Sequence, residues 1–509
     1  MEKYNYTQQV WNLNLMSNLA SMKFKTAQEL QKYLTAKLNA IFTDERAQKF
    51  IGKWEVVWGP VVWSNGRIIS DNAMYVAKKL EGEGKGNYVI AVAGTNGISL
   101  YGWFREDFDV STTVTWEKAG TAETVSPPEY NVTIPQVSQA TSRGLWILLT
   151  QMKWAAASGA PEQTLVQFLQ AEFKNANAPA QVTVSGHSLG GALSASLALK
   201  LADNQYSGWT WDPNHYLQLS AMPTAGASPG NDALAKKYNA QLGMRTIRVW
   251  NKLDPVPHGW QYDMLSAVPN LYYPYIIPTL TVKALVDGML YRSFRGAKMA
   301  GPYTQLLPQT PALEGQVNLN MVHPDPQKMV KGLIIFIENE GLKYLKIPVN
   351  ADVVNALLNV LKSMLGQVTV FARLDHFVQH IMQEMEKTVG KIMSAPVADA
   401  ANPDLTVGDY VDWIMHQVSG TLLFVSQVLY QHVQAYPQML GTMEFFYLIK
   451  SIEPDDLLFA DPAEAFADKD VVRAVGEAVS GAYTKIITDS AAEKDSKEKK
   501  GLLPFRFRK

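Results

Sequence analysis

The 509-residue chain has no cysteine, so disulfides, thiolate metal sites and a thiol nucleophile are all excluded. It also lacks an excess of charge of one sign: 46 Lys+Arg against 47 Asp+Glu leave a formal net charge of −1, which argues against nucleic acid as a partner. No run of about 18 apolar residues occurs, so no transmembrane helix is expected. The first residues, MEKYNYTQQVWNLNLMSNLASMKF, carry no basic segment followed by an apolar one, so no conventional signal peptide is expected and the compartment stays open. What the chain does have is 47% hydrophobic residues, ample for a large core, with 13 Trp and 22 Tyr.

The most informative stretch is Gln181–Lys200, QVTVSGHSLGGALSASLALK. Val182-Thr183-Val184 has the β-branched character of a short buried strand, and the small, apolar residues from Ala192 to Leu199 form a packed helix. Between them lies Gly186-His187-Ser188-Leu189-Gly190, a G-x-S-x-G pentapeptide. Strand, tight turn and helix are the context of a nucleophile elbow. The serine takes a strained conformation there, and glycines two positions to either side avoid clashes.

GHSLGGA after a V-T-V strand resembles the class 3, fungal-type lipases of the α/β-hydrolase fold. A second similar stretch is Arg245–His258, a β-branched segment running into Asn251-Lys252-Leu253-Asp254-Pro255-Val256-Pro257-His258. A third is the apolar run Tyr88–Ala93 ending in Gly94-Thr95-Asn96-Gly97, followed by Trp103–Asp107; Ala93 stands where the family has arginine. Pro229 and Asn231 fit a further turn of the pattern. The resemblance spans roughly residues 85–260 and a later histidine segment.

The resemblance implies an α/β-hydrolase with a mostly parallel sheet flanked by helices. Ser188 would be the nucleophile and Asp254 the acid of the triad, with Thr95 and the backbone N–H of Leu189 forming the oxyanion hole. It further implies hydrolysis of lipid carboxylic esters at a lipid–water interface with no metal or organic cofactor. Triacylglycerol is the first substrate, a phospholipid sn-1 ester (phospholipase A1-type) the second. A non-catalytic hydrolase-fold protein that binds lipid or a partner is the reading from another class.

Eight histidines allow elimination. The fold's order is serine, acid, histidine, which sets aside His187 and His215. His258 follows Asp254 too closely and occupies a structural position in the family. Of the remaining five, His376 is chosen, because Gln367–Phe371 reads as a strand and Phe377–Met385 as the helix opened by Asp375-His376. His323 and His380 stay open as alternatives. The His376-x-x-x-His380 spacing has no third ligand for a metal. His416 and His432 lie in an apolar helical run and read as packing.

The expected organisation is a helical layer over 1–50, a hydrolase core over 51–260, and an insertion over 261–365 that serves either as lid or acyl-site wall or as extra packing. A core segment with the histidine follows over 366–395, then a helical C-terminal region with a charged tail over 396–509. Within these, strands are expected at 54–58, 74–77, 88–93, 111–116, 216–221, 245–250 and Leu333–Ile337. Helices are expected over 142–157, 161–175 and 410–436.

Overall fold

The computed structural model describes residues 2–452 apart from 21–25, 65–69, 95–109, 122–129, 156–159, 177, 207–209, 324, 340–350, 366–370 and 397–405, together with 472 and 473. Thr95–Gly97, Trp103–Asp107, the strand expected at 367–370 and the charged tail lie outside these residues.

The chain begins with three helices, α1 (Tyr6–Ser17), α2 (Ala27–Thr43) and α3 (Glu45–Ile51). Their starts follow local chemistry: Asn5 with Gln8, and Thr26 with Glu29, form reciprocal capping boxes, and Asp44 accepts from the N–H groups of Arg46 and Ala47. On α2 the buried Leu30, Leu34, Leu38 and Ile41 recur at helical spacing and form one core-facing stripe. On α1 every residue from Gln9 to Ser17 is buried, so this helix is enclosed on all sides.

Among the described residues nine strands follow: β1 (Trp54–Trp63), β2 (Asn72–Lys79), β3 (Tyr88–Val92), β4 (Thr113–Thr115), β5 (Gln136–Ser138), β6 (Lys153–Trp154), β7 (Gln163–Thr164), β8 (Ala180–His187) and β9 (Leu217–Thr224). The central sheet has the order β1-β2-β3-β8-β9. The expected mostly parallel sheet is mixed: β1–β2 and β2–β3 pair antiparallel, β3–β8 and β8–β9 parallel. Connection length is the physical reason. Short loops join β1 to β2 and β2 to β3, which only antiparallel neighbours permit, whereas helical crossovers lead into β8 and β9. Residues 246–249 extend the sheet beyond β9 through two parallel bridges, Ala221 with Thr246 and Thr224 with Val249, rather than as a full strand.

Alternation along β3 sorts its side chains between two cores. Tyr88, Ile90 and Val92 join the face covered by the helices Gln139–Trp146, Leu165–Phe173 and Leu189–Asn204. Val89 and Ala91 join the face covered by α1, α2 and α3 together with Tyr436, Phe445, Phe446 and Ile449. The helix expected at 142–157 is shorter; it runs Gln139–Trp146, passes into a π turn at Ile147–Gln151, and β6 follows.

Compactness divides the chain into two units. The first comprises 1–268, 289–316 and 428–460; the second comprises 269–288, 317–427 and 461–509. The second unit is helical among its described residues, with Pro326–Glu338, Ala351–Met364 and Leu374–Met393 packing in chain order. The strand expected at Leu333–Ile337 is instead the end of Pro326–Glu338. A short apolar run fits either state, and Asp325 capping Gln327 and Lys328, with Pro326 at the first helical position, decides for helix. No helix among the described residues is long and apolar enough to cross a membrane.

Candidate active site

Strand β8 delivers Ser188 to the sheet's edge. Ser188 has φ 65° and ψ −126°, a conformation L residues rarely adopt, and it is followed at once by the helix Leu189–Asn204. At a helix start a serine hydroxyl ordinarily accepts from the N–H groups of the first turn; here it caps none of them. The geometry forces glycine at the flanks. A Cβ on Gly186 would lie 1.9 Å from the Gly190 carbonyl oxygen, and one on Gly190 would lie 2.4 Å from that of Val92. The expected strand, strained serine and helix are therefore present, and Leu189 opens the helix.

The end of β3 lies against this turn. A Cβ on Gly94 would come within 2.9 Å of Ser188 Cβ and 2.7 Å of the His187 carbonyl oxygen. Thr95, expected to help form the oxyanion hole, lies outside the described residues.

Asp254 sits where the segment beside β9 ends, and it is fully buried. Burial of a carboxylate demands donors, and three are provided. Val256 N–H donates to Oδ1 at 3.0 Å, and His432 Nδ1 and Tyr436 Oη each donate to Oδ2 at 2.9 Å. Burial, and then the neighbouring Asp254 charge, push the Tyr436 hydroxyl well above its usual range, so it stays protonated and donates. With Nδ1–H directed at the carboxylate, the neutral His432 ring keeps its lone pair on Nε2.

His432 is held from the elbow side as well. Its ring centroid lies 4.5 Å from that of His187, the residue before Ser188. His187 Nε2–H donates to the His432 carbonyl at 2.9 Å. Burial, then the nearby His432, hold His187 well below the ordinary histidine range, so it is a neutral strut. The helix Val407–Leu429 gives way at this point to a five-residue π turn, Tyr430–Gln434. Wider turns of this kind recur at functional sites. The turn is pinned to the Asp254 loop: Asn251 Nδ2 donates to Gln431 Oε1 at 2.8 Å, and Asn251 N–H donates to Tyr436 Oη at 3.0 Å.

His376 belongs to the second unit. It is exposed in the first turn of Leu374–Met393, and neighbouring Asp375 binds Arg373 Nε at 3.0 Å. The carboxylate of Asp254 is engaged by His432 and not by His376. His380 lies in the same second-unit helix with its ring 5.6 Å from Phe371, and His323 Nδ1 is 3.0 Å from the Ala372 carbonyl. The signal for His432 emerges only with the structure. Gln427, Gln431, His432 and Tyr436 interrupt an apolar run and are all buried, which packing alone does not explain. Among the described residues no group of three His, Asp or Glu side chains is placed to hold a metal ion.

Residues 122–262 match the family model described as lipase (class 3). Among solved structures, a crystal structure of M37 lipase is 25% identical and aligns with a TM-score of 0.56 over 89% of this chain and 97% of its own. Lipase II from Rhizopus niveus is 15% identical over 51% of this chain and 78% of its own, with a TM-score of 0.32. The triacylglyceride lipase of Rhizomucor miehei is 20% identical over 50% and 75%, with a TM-score of 0.30. No curated protein matches the chain in sequence. The matched segment runs from before the elbow to beyond Asp254, and with the M37 lipase alignment it supports the expected likeness to the class 3 lipases.

Proposed function

We propose that this chain hydrolyses carboxylic esters of lipids through an acyl-enzyme, with Ser188 as nucleophile, His432 as general base and Asp254 as the acid that orients it. The observation that carries this reading is the buried Asp254–His432 hydrogen bond, with the His432 ring packed against the residue that precedes Ser188. Relative to the sequence reading, the base moves from His376 to His432, and Ser188 and Asp254 keep their roles.

Ser188 Oγ attacks the ester carbonyl carbon, and its proton passes to His432 Nε2. The imidazolium that forms is stabilised by Asp254, whose Oδ2 already accepts the Nδ1 proton. The tetrahedral oxyanion is received by the Leu189 N–H and by Thr95. Its collapse expels the alcohol, which takes the proton from His432. Water, deprotonated by the same ring, then releases the fatty acid and restores Ser188. Every proton is carried by these side chains. Triacylglycerol is the preferred substrate class, with a phospholipid sn-1 ester second; the lipid is met at a lipid–water interface.

The test is labelling with a serine-reactive alkyl phosphonate, located by peptide mass spectrometry. One adduct per chain on Ser188, lost in His432→Ala and retained in His376→Ala, is the expected result. Retention in His432→Ala with loss in His376→Ala would return the base to the second unit. Folded wild-type protein that takes no label with or without detergent micelles would favour a lipid- or partner-binding member without catalysis.

A further inference from the structure

We infer that Asn18, at the end of α1, is a positioning residue that fixes the Ala93–Gly94 peptide, at the end of β3, beside Ser188; this rests on the ester-hydrolase reading above. Its amide bridges two backbones. Oδ1 accepts from Gly94 N–H at 2.7 Å, and Nδ2 donates to the Asn14 carbonyl at 3.1 Å. The two bonds use opposite halves of one amide, which fixes which end faces Gly94.

Helix length makes this reach possible. Near its start, Tyr6 Oη lies 3.0 Å from Thr183 Oγ1 on β8, and near its end α1 supplies Asn18 to Gly94. Twelve helical residues rise about 18 Å, the distance that five or six strand residues cover, so α1 spans β8 from Thr183 to the level of Ser188. The helix is itself locked: it is buried from Gln9 to Ser17, the Tyr75 hydroxyl donates to the Leu13 carbonyl, and Trp11 packs on the His187 ring at 5.7 Å.

The consequence concerns direction. A Gly94 N–H bonded to Asn18 is not offered to substrate, and the Ala93–Gly94 peptide plane is fixed by it. Gly94 also stands 2.9 Å, at its Cβ position, from Ser188 Cβ, so the fixed peptide adjoins the attacking oxygen's own carbon. Ala93, where the family has arginine, offers no side-chain hydrogen bond for this purpose; Asn18 supplies the support from a different part of the chain.

The experiment compares wild type, Asn18→Leu and Asn18→Asp on a short p-nitrophenyl ester and with an alkylboronic acid, which forms a tetrahedral adduct on a serine nucleophile. Asn18→Leu is expected to lower kcat about 10- to 100-fold, as for a misaimed oxyanion donor, with KM within about twofold. Boronate affinity falls by the same factor. Asn18→Asp keeps the acceptor for Gly94 N–H and stays within about threefold of wild type on both measures. If Asn18→Leu does not fold, Asn18→Ala, which only removes the amide, replaces it. Wild-type kcat and boronate affinity in the Leu or Ala variant, or an Asp variant as impaired as the Leu variant, would overturn the inference while leaving the esterase reading intact. Wild-type protein that binds neither phosphonate nor boronate would take down both.

Discussion

Two aspartate–histidine pairs among the described residues downstream of the elbow are opposites. Asp375 and His376 are adjacent in sequence, sit in the first turn of a helix, and meet solvent; the carboxylate is satisfied by Arg373. Asp254 and His432 lie far apart in sequence and are both buried, with side-chain exposures of 0% and 3%. An exposed pair is screened and contributes little, whereas a buried carboxylate must find donors, and whatever donates becomes fixed in orientation. Proximity along the chain is therefore poor evidence for a catalytic dyad. Enclosure and the accounting of hydrogen bonds are better.

The contrast is broken most forcefully by neutralising each acid in turn. Asp254→Asn should reduce kcat/KM for a soluble ester by about 10⁴-fold, the scale at which a triad with a neutral third member works, while Asp375→Asn should leave it within twofold of wild type. Equal effects would dissolve the distinction. Tyr436→Phe sharpens it further by removing one of two donors to Oδ2 without touching His432. A hydrogen bond to a charged group contributes about 1.5–3 kcal/mol, so a loss of roughly tenfold in kcat/KM and a lower urea midpoint are expected. Arg373→Ala, the matching deletion at the exposed pair, should change neither.

The smallest effect concerns pH and stability. His187 is buried with its pKa held well below that of an unfolded histidine, near 6.5. Below that pH the unfolded chain binds a proton that the folded ring refuses. The His187 contribution is thus complete above pH 6.5 and is lost as the pH falls toward the folded value. Urea midpoints measured at pH 8 and pH 5.5 should drop in wild type, and drop less in His187→Gln, whose amide can still donate to the His432 carbonyl. An unchanged slope in the variant would assign the acid sensitivity elsewhere.

Much of the first unit was legible because it is local. Ser188 and its glycines are adjacent, so a strained turn leaves a mark on a pentapeptide, and Asp254 follows directly on the segment beside β9. The helical start of the chain was legible from the helical spacing of Leu30, Leu34, Leu38 and Ile41. His432 was not, because its evidence is tertiary. A histidine, two glutamines and a tyrosine in an apolar helix look like ordinary packing until Asn251 and Asp254 are brought beside them. The mixed sheet was missed for a different reason. Loop lengths between β1, β2 and β3 announced antiparallel pairing, but the parallel half of the pattern dominated the reading. The strand expected at Leu333–Ile337 failed on a periodicity too short to discriminate, with Asp325 and Pro326 holding the answer.

The enclosure of α1 has a consequence for how the molecule comes into being. One of its sides is covered by β3 and β8, another by residues near the far end of the first unit: Trp11 donates to Thr442, Gln8 to the Leu440 carbonyl, and Lys3 pairs with Glu444. During synthesis at about 5–20 residues per second, the segment that completes this burial is made some 20–80 s after α1 itself. The first helix thus spends that interval with apolar surface uncovered, and the proposed acid and base meet only once residues 428–452 dock. A nascent chain halted between the Asp254 loop and that segment carries the elbow and Asp254 but neither His432 nor Tyr436, so hydrolytic capacity would arise as one late, cooperative event.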